Sequence, residues 1–183
     1  IKSIQTWNYD SIEKAIISLK NTRKKGGRLF LIGVGGSAGN ASHAVNDFRK
    51  LCEIESYSIT DNVSELTARI NDEGWNTSFS NWLKISNLNK KDALFIFSVG
   101  GGSISKKISI NIVESIKYAK NLNAKVFGVV GPNGGYTKLK GNLVIQINIQ
   151  NKNLVTPIVE SIQAFVWHLI VSHPKLKINK TKW

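Results

Sequence analysis

The chain has 183 residues, 42% of them hydrophobic, with one cysteine and a formal net charge of +13. That length suits a single domain over residues 1–183 with a real core. No apolar run has the length of a bilayer span and no secretory pattern opens the chain, which argues against a membrane protein. The lone Cys52 has no internal disulfide partner, so a reducing, cytoplasmic setting is expected, with the thiol as a small buried apolar group.

Residues 10–24 place Ile12, Ala15, Ile16 and Leu19 at helical spacing, and two glycines end that helix, closing an N-terminal helical segment over 1–27. "RLFLIGV" (28–34) reads as a buried strand, and "SAGNASHAVNDFRKLC" follows as a helix with Ser37 as its N-cap. A short strand is expected at 55–60, then two helices broken near Gly74. A second buried strand (92–99) runs through three glycines into a helix expected from Ser103 to Asn121. Strands at 124–130 and 142–149 follow, the last alternating and nearer an edge, before a final helix over 156–173 with Pro157 in its first turn. His173 reads as the cap of that helix, and the polar tail 174–183 as loosely ordered.

Strands alternating with helices imply an α/β fold: a three-layer αβα sandwich around a five-stranded, mainly parallel sheet. Ligands in such folds sit beyond the carboxyl ends of the strands, where the glycine breaks at 35–36, 100–102 and 131–135 fall. Two of these turns share one design, an apolar strand followed by glycines, a serine and a helix. Glycine admits a ligand close to the backbone, and the helix amino end favours an anion. Gly35, Gly36, Ser37, Ser98, Gly100, Gly101, Gly102 and Ser103 are therefore candidate phosphate-binding residues. Neither turn is a Walker A loop or a dinucleotide fingerprint, so no nucleotide cofactor is expected.

The positive charge raises nucleic acid as a partner, yet the lysines are scattered and do not alternate with aromatics. A basic surface suits an anionic small substrate equally well.

The segments "GGSAGNASHAVND", "DNVSELTARINDEGW", "FSVGGGS" and "TPIVESIQAFVWHL", in that order, resemble the sugar isomerase (SIS) domain and, within it, the phosphoheptose isomerases. The resemblance spans about residues 28–173 and implies a flavodoxin-like SIS fold. It also implies an aldose–ketose isomerase of sedoheptulose 7-phosphate, supplying heptose for surface polysaccharide, and a homotetramer with sites at subunit interfaces. The family's phosphate turn, Ser-Thr-Ser-Gly-Asn-Ser, reads Ser98-Val99-Gly100-Gly101-Gly102-Ser103 here. Asn71 and Asp72, with Asp61, match a polar stretch bordering the family's site.

By the same resemblance, the family's His and Glu on one helix and Gln and His on another match His43, Asp47, Glu160 and His168. Some members hold zinc with these four, so a divalent metal is expected here. Spacings of four and eight residues put each pair on one side of its helix. The matched roles are Asp47 as base and His168 as acid/base partner, with Glu160 as the rival base. Taken singly, His43 and His168 read equally well as structural histidines, Asp47 as a solvated residue and Glu160 as a helix-dipole partner. Trp75, Trp82 and Trp167 are expected as bulk between subunits.

Overall fold

A computed structural model of the chain describes residues 9–181. Among these, five strands form one sheet in the order β2-β1-β3-β4-β5, every neighbouring pair parallel. The strands are β1 (Leu29–Ile32), β2 (Ser56–Ser58), β3 (Ala93–Ser98), β4 (Lys125–Val130) and β5 (Leu143–Gln146). Seven α-helices accompany them: α1 (Tyr9–Lys24), α2 (Gly36–Cys52), α3 (Val63–Glu73), α4 (Trp75–Ile85), α5 (Ile110–Asn121), α6 (Gly135–Lys140) and α7 (Val155–Ser172).

Alternation along each strand sorts the core into two layers. Leu29, Leu31, Phe95, Phe97, Phe127 and Val129 join the buried faces of α1, α2 and α7. Phe30, Ile32, Leu94, Ile96 and Val126 turn the other way, onto α4 and α5. The expected αβα sandwich is what the chain forms, with β5 at an edge.

An ion pair pins the amino ends of β1 and β3. Asp92, 1% exposed, takes Arg28 at 2.8 Å and also accepts from the Arg28 and Asn89 amides. The Asp92 carboxylate holds the Arg28 guanidinium above its ordinary pKa.

Four expectations need correction. The helix expected from Ser103 begins only at Ile110. Instead, Ser103 and Ile108 exchange amide–carbonyl bonds at 2.8 and 3.1 Å, closing a small loop. Ile104 and Ile108 are both about half exposed, so no apolar face draws that stretch into a helix. The tail is not loose as far as residue 181: Leu176 is fully buried, and the Ile178 and Asn179 amides donate to Leu51 O. Trp82 and Trp167 belong to the chain's own core, at 7% and 1% exposure, whereas Trp75 is 40% exposed. Finally, the stretch Lys152–Ser172 does have the length and apolarity of a membrane span. Its face Val159, Ile162, Gln163, Val166, Trp167 and Ile170 is buried against the sheet layer, which is how a core helix packs. As expected, His173 caps α7.

Candidate active site

The helices α2 and α7 lie side by side, and their facing residues assemble the site. Gly36 approaches Glu160, Ser37 and Asn40 meet Gln163, and Asp47 meets Trp167 and His168. Contacts advance in the same order along both helices, so the two run the same way. The i, i+4 spacing brings His43 above Asp47 on α2.

His43, Asp47 and His168 converge. One ligating atom from each lies within 4.8 Å of the others. The focus is Asp47 Oδ2. The indole N–H of Trp167 donates to it at 3.0 Å, His168 Nε2 stands 3.5 Å away, and His43 Nε2 3.9 Å. Asn46 Nδ2 donates to the other oxygen at 3.1 Å. The carboxylate is 13% exposed, whereas the two imidazoles are 57% and 51% exposed. The acid thus forms the floor and the histidines the rim. The His43 and His168 rings meet edge-on at 5.4 Å, and Trp167 backs both.

One contact fixes the protonation pattern. His168 Nδ1 lies 2.8 Å from the carbonyl of Ala164. A carbonyl only accepts, so Nδ1 carries the hydrogen. In the neutral ring, Nε2 then presents a lone pair to a carboxylate oxygen that also bears lone pairs. The lone pairs of Nε2 and Oδ2 are thereby gathered in one place, where a cation could be held. Two imidazoles and one carboxylate, with a backbone carbonyl orienting one ring, form a donor set that zinc accepts, three protein ligands leaving a position open.

Glu160, expected in the same set, lies elsewhere. Its carboxylate sits where a Cβ on Gly36 would come within 2.4 Å, at the amino end of α2. No cation pairs with it among the described residues, and its backbone carbonyl accepts from Asn40 at 2.9 Å. Eight residues leave two side chains about 80° apart around a helix and about 12 Å apart along its axis, beyond the reach of one metal ion.

The expected phosphate-binding residues divide. Ser37 does not cap α2; Gly35 takes that place, with φ of 62°. The Ser37 hydroxyl is buried and donates to Gln163 Oε1 at 3.1 Å. Ser98 is buried and accepts the Gly101 amide at 2.9 Å. Gly101 has φ of 70°, and a Cβ there would lie 2.0 Å from Gly134 O. Its carbonyl takes the amide and hydroxyl of Thr137, and Gly102 O takes the Tyr136 amide. The second and third glycine turns are therefore knitted together. Gly100 is exposed and, with the buried Gly102, lines a cavity of about 610 Å³ together with Ser103, Ser105, Lys106 and Asn133.

Asn71 donates to Asp72 at 2.8 Å on α3, a helix with no buried residue, and neither joins the histidine group. Asp61 accepts from the Ser42 hydroxyl, next to His43. Asp61, Ser42, Asn46 and Arg49 line a second cavity of about 590 Å³ on the exposed flank of α2.

Sequence reasoning missed Trp167 as the donor to Asp47 and Gln163 as the partner of Ser37 and Asn40. A signal existed for the first, because a buried carboxylate needs a donor and a tryptophan stands beside His168.

A profile of the SIS domain family matches residues 1–131, and the chain belongs to that family. It resembles the lincomycin biosynthesis protein LmbN of Streptomyces lincolnensis, 32% identical over 166 residues, which cover 85% of this chain and 58% of that protein. A phosphoheptose isomerase of Aliarcobacter butzleri is 29% identical over 174 residues, covering 92% of this chain and 86% of that one. The solved phosphoheptose isomerase GmhA of Neisseria gonorrhoeae shares the fold, with a TM-score of 0.78 at 20% identity over 93% of this chain and 87% of that one. In sequence and in architecture the chain is phosphoheptose isomerase-like.

Proposed function

We propose that the chain is an aldose–ketose isomerase of a phosphorylated sugar, acting on sedoheptulose 7-phosphate to give a heptose 7-phosphate for surface polysaccharide. One observation carries the chemistry: His168 Nε2 stands half exposed, 3.5 Å from Asp47 Oδ2, while Nδ1–H is held by Ala164 O. An exposed imidazole whose tautomer is fixed by a carbonyl behind it, with a carboxylate beside its free nitrogen, can take and return a proton. The relatives named phosphoheptose isomerase support the substrate class.

In this reading His168 takes the proton from the carbon beside the carbonyl. Asp47 steadies the imidazolium that results, and the same ring returns the proton to the neighbouring carbon. The family resemblance implies Asp47 as base, with Glu160 as rival; the 13% exposed carboxylate of Asp47, already engaged by Trp167, fits the supporting role better. His43 lies on the rim to exchange the hydroxyl proton. Zinc, were it held by His43, Asp47 and His168, would supply charge to the enediolate oxygens, but it would occupy the His168 lone pair, so the base role of His168 belongs to the metal-free site. The phosphate lies at the carboxyl edge of the sheet, against Gly100, Gly102, Ser103 and Lys106. A homotetramer fits the same reading, because the rim histidines and the exposed flank of α3 are left for a second copy to cover.

Incubation with sedoheptulose 7-phosphate in deuterium oxide, with and without added zinc, tests it. Deuterium entering the carbon next to the carbonyl, with aldose product formed, is the expected result. His168→Gln should lower turnover at least 100-fold without changing the melting temperature. Binding without exchange or product would make the chain a sugar-phosphate-binding regulator and refute the isomerase reading.

A further inference from the structure

At the edge of the sheet opposite the glycine turns, the amino ends of the strands carry a concentration of positive charge. Lys25 follows α1, Lys90 and Lys91 form the turn before β3, and Lys125 opens β4. Their side chains line one cavity of about 120 Å³, together with Ser18 and Asn21 from the flank of α1. Ser18, Asn21 and Lys25 are spaced three and four residues apart, so the helix turns all three to the cavity.

No carboxylate answers this charge. Among the described residues, none of the four lysines forms an ion pair with an acid. The nearest acid in sequence, Asp92, is 1% exposed and spent on Arg28 and Asn89. Lys25 faces the negative end of α1, which answers part of its own charge. Lys90, Lys91 and Lys125 have no such compensation. Like charges gathered around a concavity focus the field into it and raise the local concentration of anions. Ser18 and Asn21 add neutral donors. The Thr22 hydroxyl is unavailable, being donated to Ser18 O at 3.2 Å.

We propose that this cleft is a second anion site, taking the phosphate group of a small molecule, separate from the sugar site at the other edge. Size and lining select that class. The cavity holds one compact anionic group, and no aromatic side chain lines it to stack a base, as single-stranded nucleic acid binding requires. Three unconnected parts of the chain supply the ammonium groups, so the fold, rather than a run of basic sequence, makes the site.

Calorimetric titration of the full chain with pyrophosphate, whose binding the two reversed lysine pairs assign to this cleft or to other surfaces, tests the proposal. Saturable binding is expected, weakened at least tenfold by Lys91→Glu with Lys125→Glu. Lys152→Glu with Lys180→Glu, the same change in net charge on other surfaces, should weaken it less than threefold. If the reversed pair does not fold, Lys91→Gln with Lys125→Gln carries the same expectation. Equal loss in both pairs, or no saturable binding, overturns the proposal. Retained pyrophosphate binding in a protein that fails the deuterium exchange assay would leave this site standing and only the isomerase reading refuted.

Discussion

Replacing Trp167 by Phe isolates the contact that holds Asp47 in place. The phenyl ring keeps the packing against Phe97, whose ring centre lies 5.8 Å away, and against His43 at 5.2 Å. What is lost is the N–H donated to Asp47 Oδ2 at 3.0 Å. A hydrogen bond to a charged group contributes about 1.5–3 kcal/mol. The smaller ring adds a cavity and transfer cost on the order of 1 kcal/mol. The total, about 2.5–4 kcal/mol, corresponds to a fall in Tm of about 5–16 °C for a domain of this size. Thermal and urea unfolding at one fixed protein concentration measure it, with Asp47→Asn and the double variant completing a cycle. The coupling energy should match the hydrogen-bond share. Zinc affinity, measured by competition with a chelating dye, should fall about 10–100-fold, as for other groups that orient a ligand from behind. A coupling below about 0.5 kcal/mol with unchanged zinc affinity would refute the claim that the indole positions the acid.

Three other outcomes follow from the packing. Asp92→Asn leaves Arg28 without its counter-charge beside buried backbone, and unfolding free energy should drop by about 3–5 kcal/mol in urea titration. Burial pushes the Cys52 thiol up to about 12 from its ordinary value of 9.0, so at pH 8 the native protein holds about a thousandfold less thiolate than an unfolded chain. Iodoacetamide should label it at least 100-fold more slowly before unfolding than after. The sign is that of a raised pKa: stability from the neutral thiol is whole below about pH 9 and declines from there towards pH 12. Gly101→Ala meets both a left-handed φ and a carbonyl at 2.0 Å, and should cost more than about 3 kcal/mol or prevent folding altogether.

The layered fold was legible because buried parallel strands read as unbroken apolar runs and the helices carry a 3.6-residue period. The exceptions share a cause, since they depend on partners distant in sequence. Ser37 looks like a cap until Gln163 is beside it. Residues 103–109 have polar helical composition but no face to bury, and a local bridge prevails. Two tryptophans expected at a surface between copies are drawn inside by the sheet. In the site, the four-residue step from His43 to Asp47 was sufficient, and His168 joined through the fold. Glu160 lies apart because eight residues leave about 80° around a helix and about 12 Å along it. Of the glycines expected to meet an anion, Gly100 and Gly102 line a cavity, while Gly101 is there to let Gly134 pass.

The carbonyls of Gly101 and Gly102 are spent on Thr137 and Tyr136, and the turns that carry them touch without room for a methyl group between. These two stretches of chain consequently form one transplantable cassette. Restoring a hydroxyl-rich turn at 99–102 alone would meet the wall made by residues 134–137. A change of ligand preference at this edge has to be made in both places at once, by an engineer or by descent.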